Sequence, residues 1–243
     1  MRVVAVIPAR YQSSRFPGKP LVDILGTPMV LRVVQQTQKA ISEVAVATDD
    51  TRILDVVSAS GGMAILTRSD HESGTDRIGE AAAQFNLKDE DVVVNVQGDE
   101  PFIDPDQINS VTALFEDSSV QIGTLVRRIT DLNVLDNPNT PKVARAENGE
   151  ALYFSRSAIP FHRNQSVTPK YWQHIGLYAY RWGVLKKLVS LPHTHLEQVE
   201  QLEQLRWLAG GYRIHCAETN QETWAIDTPK DLETVIDQFK GKL

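Results

Sequence analysis

The sequence predicts an α/β protein, with a Rossmann-like, mixed but mainly parallel sheet and helices on both faces. Three observations carry that prediction. Short β-branched or apolar runs recur at Val3 to Ile7, Val44 to Ala47, Met63 to Leu66 and Val92 to Val96; such runs suit strands buried on both faces. Between them, apolar residues repeat at helical spacing: Met29, Val30, Val33, Val34 and Thr37, then Ile53, Leu54, Val56 and Val57, then Ile78, Ala81, Ala82 and Phe85. Finally, no linker, repeat or low-complexity stretch interrupts the 243 residues, a length that α/β sheets fill as one unit.

Taken in order, the first hundred residues read βαβαβαβ. That alternation implies right-handed crossovers, and ligands that bind beyond the carboxyl ends of the strands. A helix is expected from Asp104 to about Phe115. The second half then changes character. Lys142 to Glu147 and Ala151 to Ser155 flank Asn148-Gly149, a hairpin signal with positive φ expected at both turn residues. Gln173 to Tyr180 sets Ile175, Leu177 and Ala179 against His174, Gly176, Tyr178 and Tyr180, predicting one face on the core and a polar face lining something. From Leu196, apolar residues at 199, 202, 205 and 208 predict one helix. A strand near Ile214 and a helix after Pro229, where proline suits the first turn, close the chain.

Composition excludes several classes. With 31 acidic against 25 basic side chains the formal charge is −6, which argues against a nucleic-acid partner. The opening apolar run has five residues, too few for a leader core or a membrane span, so a cytoplasmic protein with no membrane span is expected. Cys216 is the single cysteine; it can form no internal disulfide and reads as a buried apolar filler. His193-Thr194-His195-Leu196-Glu197 looks superficially like a zinc cluster. Histidines at i and i+2 share no helix face, however, and a polar loop capping the following helix is the better reading. No GxSxG elbow or Ser/His/Asp arrangement supports covalent hydrolysis.

The most informative segment is Pro8 to Leu21, PARYQSSRFPGKPL. It gathers Arg10, Arg15 and Lys19 with the hydroxyls of Ser13 and Ser14 directly after the first strand. Arginine forks and a lysine point charge can neutralise a polyphosphate, and Gly18 lets the backbone approach it. Neither GxxxxGK[ST] nor GxGxxG is present, which weighs against ATPase and dehydrogenase readings. Asp99 follows the apolar strand Val92 to Val96, so its carboxylate should stand at the same sheet edge. For Asp227 the residues leave two readings open: a magnesium ligand, or a helix N-cap ahead of Thr228, Pro229 and Asp231. Asp49 and Asp50 read as caps for the helix at Thr51.

The loop resembles the first motif of the nucleotidyltransferases that join a sugar to a nucleoside phosphate. In particular it resembles the IPAR-Y-x-S-x-R-x-PGKPL form of the 3-deoxy-manno-octulosonate (Kdo) cytidylyltransferases. VATDD (Val46 to Asp50), SGTDR (Ser73 to Arg77), VVNVQGDEP (Val93 to Pro101), ALYFSRSAIP (Ala151 to Pro160), HIGLYAYR (His174 to Arg181), LEQLR (Leu202 to Arg206) and DTPKDLE (Asp227 to Glu233) match the same family in order. The match covers nearly the whole chain.

The resemblance implies a fold of the nucleotide-diphospho-sugar transferase type in one domain over residues 1–243. Residues 1–130 would form a nucleotide-binding half, and 131–243 a partly β-rich sugar-binding and dimerisation half. It implies CTP and an eight-carbon keto-acid sugar as substrates, Mg2+ held by Asp99 and Asp227, and a homodimer. Lys19, Asp99 and Asp227 would be catalytic. Arg10, Ser13, Arg15 and Lys19 would hold the triphosphate, with Arg77 on the cytosine side. Arg156, His174 and Glu203 would contact the sugar, and Gln97 either substrate. Read from the residues alone, Arg156 is equally a surface residue beside the hairpin, and His174 a satisfied structural group. Ala225, Lys230 and Thr140-Pro141 depart from the family pattern, which keeps 8-amino-Kdo open as acceptor. A sialic-acid cytidylyltransferase is the nearest rival enzyme, and a nucleotide-binding module without turnover is the rival from another class.

Overall fold

The computed structural model describes residues 1–12 and 15–241; Ser13, an expected phosphate ligand, and Ser14 lie outside them. The strands are β1 (Val3–Ala9), β2 (Asp23–Ile24), β3 (Thr27–Pro28), β4 (Val44–Thr48), β5 (Met63–Leu66), β6 (Val92–Asn95), β7 (Ile122–Arg128), β8 (Lys142–Arg145), β9 (Ala151–Ser155), β10 (Trp172–Arg181) and β11 (Ile214–Glu218). The helices are α1 (Met29–Gln38), α2 (Thr51–Ala59), α3 (Gly74–Ala82), α4 (Pro105–Ala113), α5 (Trp182–Leu188), α6 (His195–Glu200), α7 (Gln204–Ala209) and α8 (Pro229–Phe239). Single 3-10 turns follow α3 and α4 and form at Lys19–Leu21 and Leu132–Val134.

Apart from the small β2–β3 pair, the described strands form one sheet in the order β11-β7-β10-β6-β1-β4-β5, with β8 pairing β10 and β9. β1, β4, β5 and β6 run parallel, whereas β10 is antiparallel to both β6 and β7. The sheet is therefore mixed, and parallel across β6, β1, β4 and β5, as expected. β10 inserts between β6 and β7, so the two halves of the chain interleave rather than meet at a boundary near residue 130. The chain runs from β1 outward to β4 and β5, then returns to β6 on the other side of β1. The loops after β1 and β6 consequently open into the crevice where strand order reverses, the position that α/β sheets use for ligands.

Side chains alternate across the sheet and divide the core into two layers. Val4, Val6, Ala45, Ala47, Ile78 and Trp207 fill one; Ala5, Ile7, Val33, Val46, Ile53 and Val94 fill the other. Each fully buried Val or Ile side chain contributes about 1.5–3 kcal/mol of transfer free energy. A third, smaller core of Ile24, Met29, Phe102, Ile226 and Val235, edged by Trp224 and Phe239, lies apart from these two. It fastens α8 to the segment that leads into Asp227. Cys216 is buried and free, and burial pushes its thiol up to about 12, which makes it inert as expected. Among the described residues, no helix is long and apolar enough to cross a membrane.

Three local expectations are corrected. In the β8–β9 hairpin only Gly149 takes positive φ, at 89°. The Gly149 amide donates to the Ala146 carbonyl and the Ala146 amide to the Glu150 carbonyl, the pattern of a three-residue loop rather than a two-residue one. β10 keeps its polar face partly open only at His174 and Gly176: Tyr178 and Tyr180 are buried along with Leu177 and Ala179, because α3, α5 and α7 cover that end. The helix expected from Leu196 onward breaks into α6 and α7. Gln201 adopts a left-handed conformation (φ 52°), and the Leu202 amide reaches back to the Glu197 carbonyl, which terminates α6.

Candidate active site

The loop after β1 is shaped by local bonds. The Gly18 amide donates to the Tyr11 carbonyl at 3.0 Å, and Gly18 takes φ 74°, a conformation that favours glycine. A Cβ there would also approach the Tyr11 hydroxyl to 3.2 Å. The Arg52 guanidinium lies 3.3 Å from the Tyr11 ring centroid and is itself held by Asp50. Lys19 then begins a 3-10 turn that aims its side chain inward, where it is only 13% exposed.

The Lys19 Nζ donates to Asp99 Oδ2 at 3.0 Å and to Asp227 Oδ1 at 3.3 Å, and Arg15 pairs with the same Asp227 oxygen at 3.2 Å. Residues 80 and 208 positions away from Lys19 thus converge on one ammonium. The backbone enforces this meeting. A Cβ at Gly98 would stand 2.4 Å from the Pro8 carbonyl oxygen, so the turn carrying Asp99 can press against the end of β1 only with glycine there. The Ile226 amide donates to the Asp99 carbonyl at 2.9 Å and ties the Asp227 segment to the same place. The cap reading for Asp227 is corrected. Thr228 is the N-cap of α8, in a capping box with Asp231, and this leaves the Asp227 carboxylate to face the cations.

These groups line a cavity of about 270 Å³, together with Arg10 and Gln97. Pro8, His71, Ser73, Gly74 and Arg77 complete its lining. The buried Arg77 guanidinium donates to Thr67 Oγ1 at 2.6 Å and to Asp49 Oδ2 at 2.9 Å. Asp49 is therefore a partner of Arg77 and not a helix cap; Asp50 alone caps α2. Gln97 Nε2 donates to the Gly176 carbonyl at 3.2 Å, where β10 shifts register against β7.

The expected sugar contacts lie deeper or elsewhere. Glu203, placed by the α6–α7 break, accepts from the Thr75 hydroxyl and from Arg206, both at 2.7 Å. Burial raises its pKa, a shift that the Thr75 and Arg206 contacts partly offset. His174 packs between Phe154 and Tyr178 and lies 3.1 Å from Thr124 Oγ1. Burial lowers its pKa to about 3, so the imidazole is neutral near pH 7. Arg156 spends its guanidinium on the carbonyls of Glu200, Pro138 and Gln201 and does not line the cavity. Ala225 and Lys230, two departures from the family pattern, are exposed and also outside the cavity lining. In the His193 segment, Thr194 caps α6 in a box with Glu197.

Sequence reasoning missed Glu100. It is buried beside Asp99, and desolvation followed by the Asp99 charge pushes its pKa up to about 7. Its presence in the QGDEP segment was the available signal. The roles of Asp49, Thr67 and Thr75 as partners of Arg77 and Glu203 carried no signal, since each depends on a contact distant in sequence.

The donor set fits magnesium. Asp99 and Asp227 supply hard carboxylate oxygens, both within 3.3 Å of a single nitrogen. Two is the usual protein contribution to a magnesium shell completed by phosphate and water. Among the described residues, no group of three or more His, Cys, Asp or Glu side chains could form a denser metal site.

An α/β sheet with a basic loop and two converging carboxylates at its switch point has the architecture of a nucleotide-dependent transferase. The family pattern described as cytidylyltransferase matches residues 4–214, and the chain belongs to that family. It is 49% identical over 245 residues to a 3-deoxy-manno-octulosonate cytidylyltransferase of Parabacteroides distasonis, covering 97% of each chain. It is 48% identical over 250 residues to one of Bacteroides thetaiotaomicron, covering both entirely. A solved structure of CMP:2-keto-3-deoxy-manno-octonic acid synthetase complexed with CTP superposes with a TM-score of 0.94 at 42% identity over the whole of both chains.

Proposed function

We propose that the protein activates 3-deoxy-D-manno-octulosonate with CTP, forming CMP-Kdo and pyrophosphate, and so supplies lipopolysaccharide synthesis from the cytoplasm. The convergence of Arg15, Lys19, Asp99 and Asp227 on one cavity carries this reading, in a chain that matches Kdo cytidylyltransferases end to end. The anomeric hydroxyl oxygen of the sugar bonds to the α-phosphorus while the bond to the β-phosphate oxygen breaks and pyrophosphate leaves.

Such a transfer needs positioning and charge neutralisation more than covalent chemistry by the protein. Arg10, Arg15 and Lys19 meet the triphosphate. Asp99 and Asp227 would hold Mg2+, which when bound would lower the pKa of the attacking hydroxyl and offset charge on phosphate. Arg77, oriented by Asp49 and Thr67, faces the cytosine. Gln97 stands between the nucleotide cavity and β10, where His174 acts as a neutral hydrogen-bonding group towards the sugar and Glu203 accepts from its hydroxyls. Arg156 contributes to the sugar side by holding the turn between α6 and α7 that presents Glu203. Ala225 and Lys230 lie outside the cavity lining and so give no support to the 8-amino sugar.

The test is pyrophosphate release from CTP and Mg2+ with Kdo, 8-amino-Kdo and sialic acid offered separately. Release with Kdo, and its loss in excess chelator, is expected; silence with Kdo would refute the reading. Asp99→Asn should abolish turnover and spare most metal-free CTP binding, an outcome foreign to a binding module without turnover.

We also propose a homodimer through the hairpin face. Leu152 of β9, Pro160 and Trp172 line a groove there, and Leu152 and Phe161 are 63% and 86% exposed, the kind of apolar surface that marks an interface. Leu152→Glu should convert a dimer into a monomer by light scattering.

A further inference from the structure

We infer that Asp231 is a positioning residue for the Asp227 carboxylate, an inference that rests on the magnesium reading above. One oxygen of Asp231, Oδ2, accepts three donors: the Asp227 amide at 3.1 Å, the Thr228 amide at 2.8 Å and the Thr228 hydroxyl at 2.9 Å. The Asp231 amide donates back to Thr228 Oγ1 at 3.3 Å. A capping box requires only the reciprocal pair between the N-cap and the third helical residue. The bond to the Asp227 amide is additional. It reaches the residue before the cap, whose amide is not one of the orphaned helix donors.

Its effect is on the peptide plane from which the Asp227 side chain departs. The preceding residue is held from the other direction: the Ile226 amide is bound to the Asp99 carbonyl at 2.9 Å, and the Ile226 side chain is buried in the small core with Phe102 and Val235. The main chain is thus pinned on both sides of the Asp227 Cα, while its carboxylate caps nothing and points at Lys19 and Arg15. Asp231 therefore serves the carboxylate pair in the way outer partners serve metal ligands, by fixing orientation.

The experiment compares CTP affinity by calorimetry in Mg2+ and in EDTA. The ratio of the two dissociation constants reports what the metal contributes, without turnover. Asp231→Ala should shrink that ratio by ~10–100-fold, the range seen when partners of metal ligands are removed, and leave the EDTA value unchanged. Asp231→Asn keeps a carbonyl oxygen for the three donors and should recover most of the ratio. Thr228→Ala removes the hydroxyl half of the box and weakens the α8 cap, yet leaves Asp231 on the Asp227 amide. It should lower thermal stability and leave the ratio within about threefold of wild type, well short of that loss.

Equal loss in Thr228→Ala and Asp231→Ala would overturn the inference in favour of simple helix capping. So would an unchanged ratio in Asp231→Ala alongside a reduced one in Asp227→Asn. If Asp227→Asn itself leaves the ratio unchanged, the magnesium reading fails first and the role of Asp231 falls with it.

Discussion

Gly98 shows how much of the site depends on one missing side chain. Its ideal Cβ would lie 2.4 Å from the Pro8 carbonyl oxygen, inside any allowed contact with a backbone atom that cannot rotate away. Gly98→Ala should therefore push the Asp99 turn off the end of β1. The expected cost is about 1–3 kcal/mol in denaturant unfolding and roughly 100-fold in kcat/KM, since displacing a catalytic carboxylate by about 1 Å is enough for that. In the proposed mechanism Lys19 acts by charge. Lys19→Met, which keeps the stem, should lower kcat by about 100–1,000-fold, as losing a preorganised charged donor does, with the change measured at saturating CTP.

At the scale of elements, α8 carries more than its own weight. Phe239 stacks on Phe102 with ring centroids 3.8 Å apart, and Trp224 meets Phe239 edge-on at 5.7 Å. Phe239→Ala should cost the aromatic pair about 0.5–1.5 kcal/mol and raise the KM for Mg2+ more than it lowers kcat at saturating metal. The helix itself was legible, because Thr228-Pro229 and Asp231 spell a helix start, and so were β4, β5 and β6 as apolar runs. The break between α6 and α7 was not. Gln201 is neither Gly nor Asn, and apolar residues at 199, 202, 205 and 208 continue a helical period straight through it. Only Glu203 meeting Thr75, 128 residues earlier, gives the break a purpose. The site divides the same way. Arg15, Lys19 and Asp99 could be chosen by residue type and position and Asp227 only through the family resemblance, whereas the engagement of Arg156 with three carbonyls is set by turns that have no local signature.

Over the whole molecule, two buried groups bend the pH dependence of stability in opposite directions. His174 holds a folded pKa of about 3 against 6.5, so between those values the unfolded chain binds more protons and stability falls on acidification. Glu100 holds about 7 against 4.5; there the folded chain binds more protons and stability falls as pH rises through 7. Metal-free protein should show opposing slopes near pH 5–6, with Glu203, whose pKa burial also raises, adding to the Glu100 side. Glu100→Gln should stabilise it at pH 8 by up to about 3 kcal/mol, an advantage that shrinks towards pH 4.5 in urea titrations, and His174→Gln should flatten the acid side. The Lys19 ammonium seated between Asp99 and Asp227 has a consequence for the order of events in a chain of net charge −6. Under the proposed magnesium role, a dication arriving alone would have to displace that lysine, whereas one arriving with a triphosphate would bring the lysine new anions. Ion and nucleotide would then enter as a single cargo.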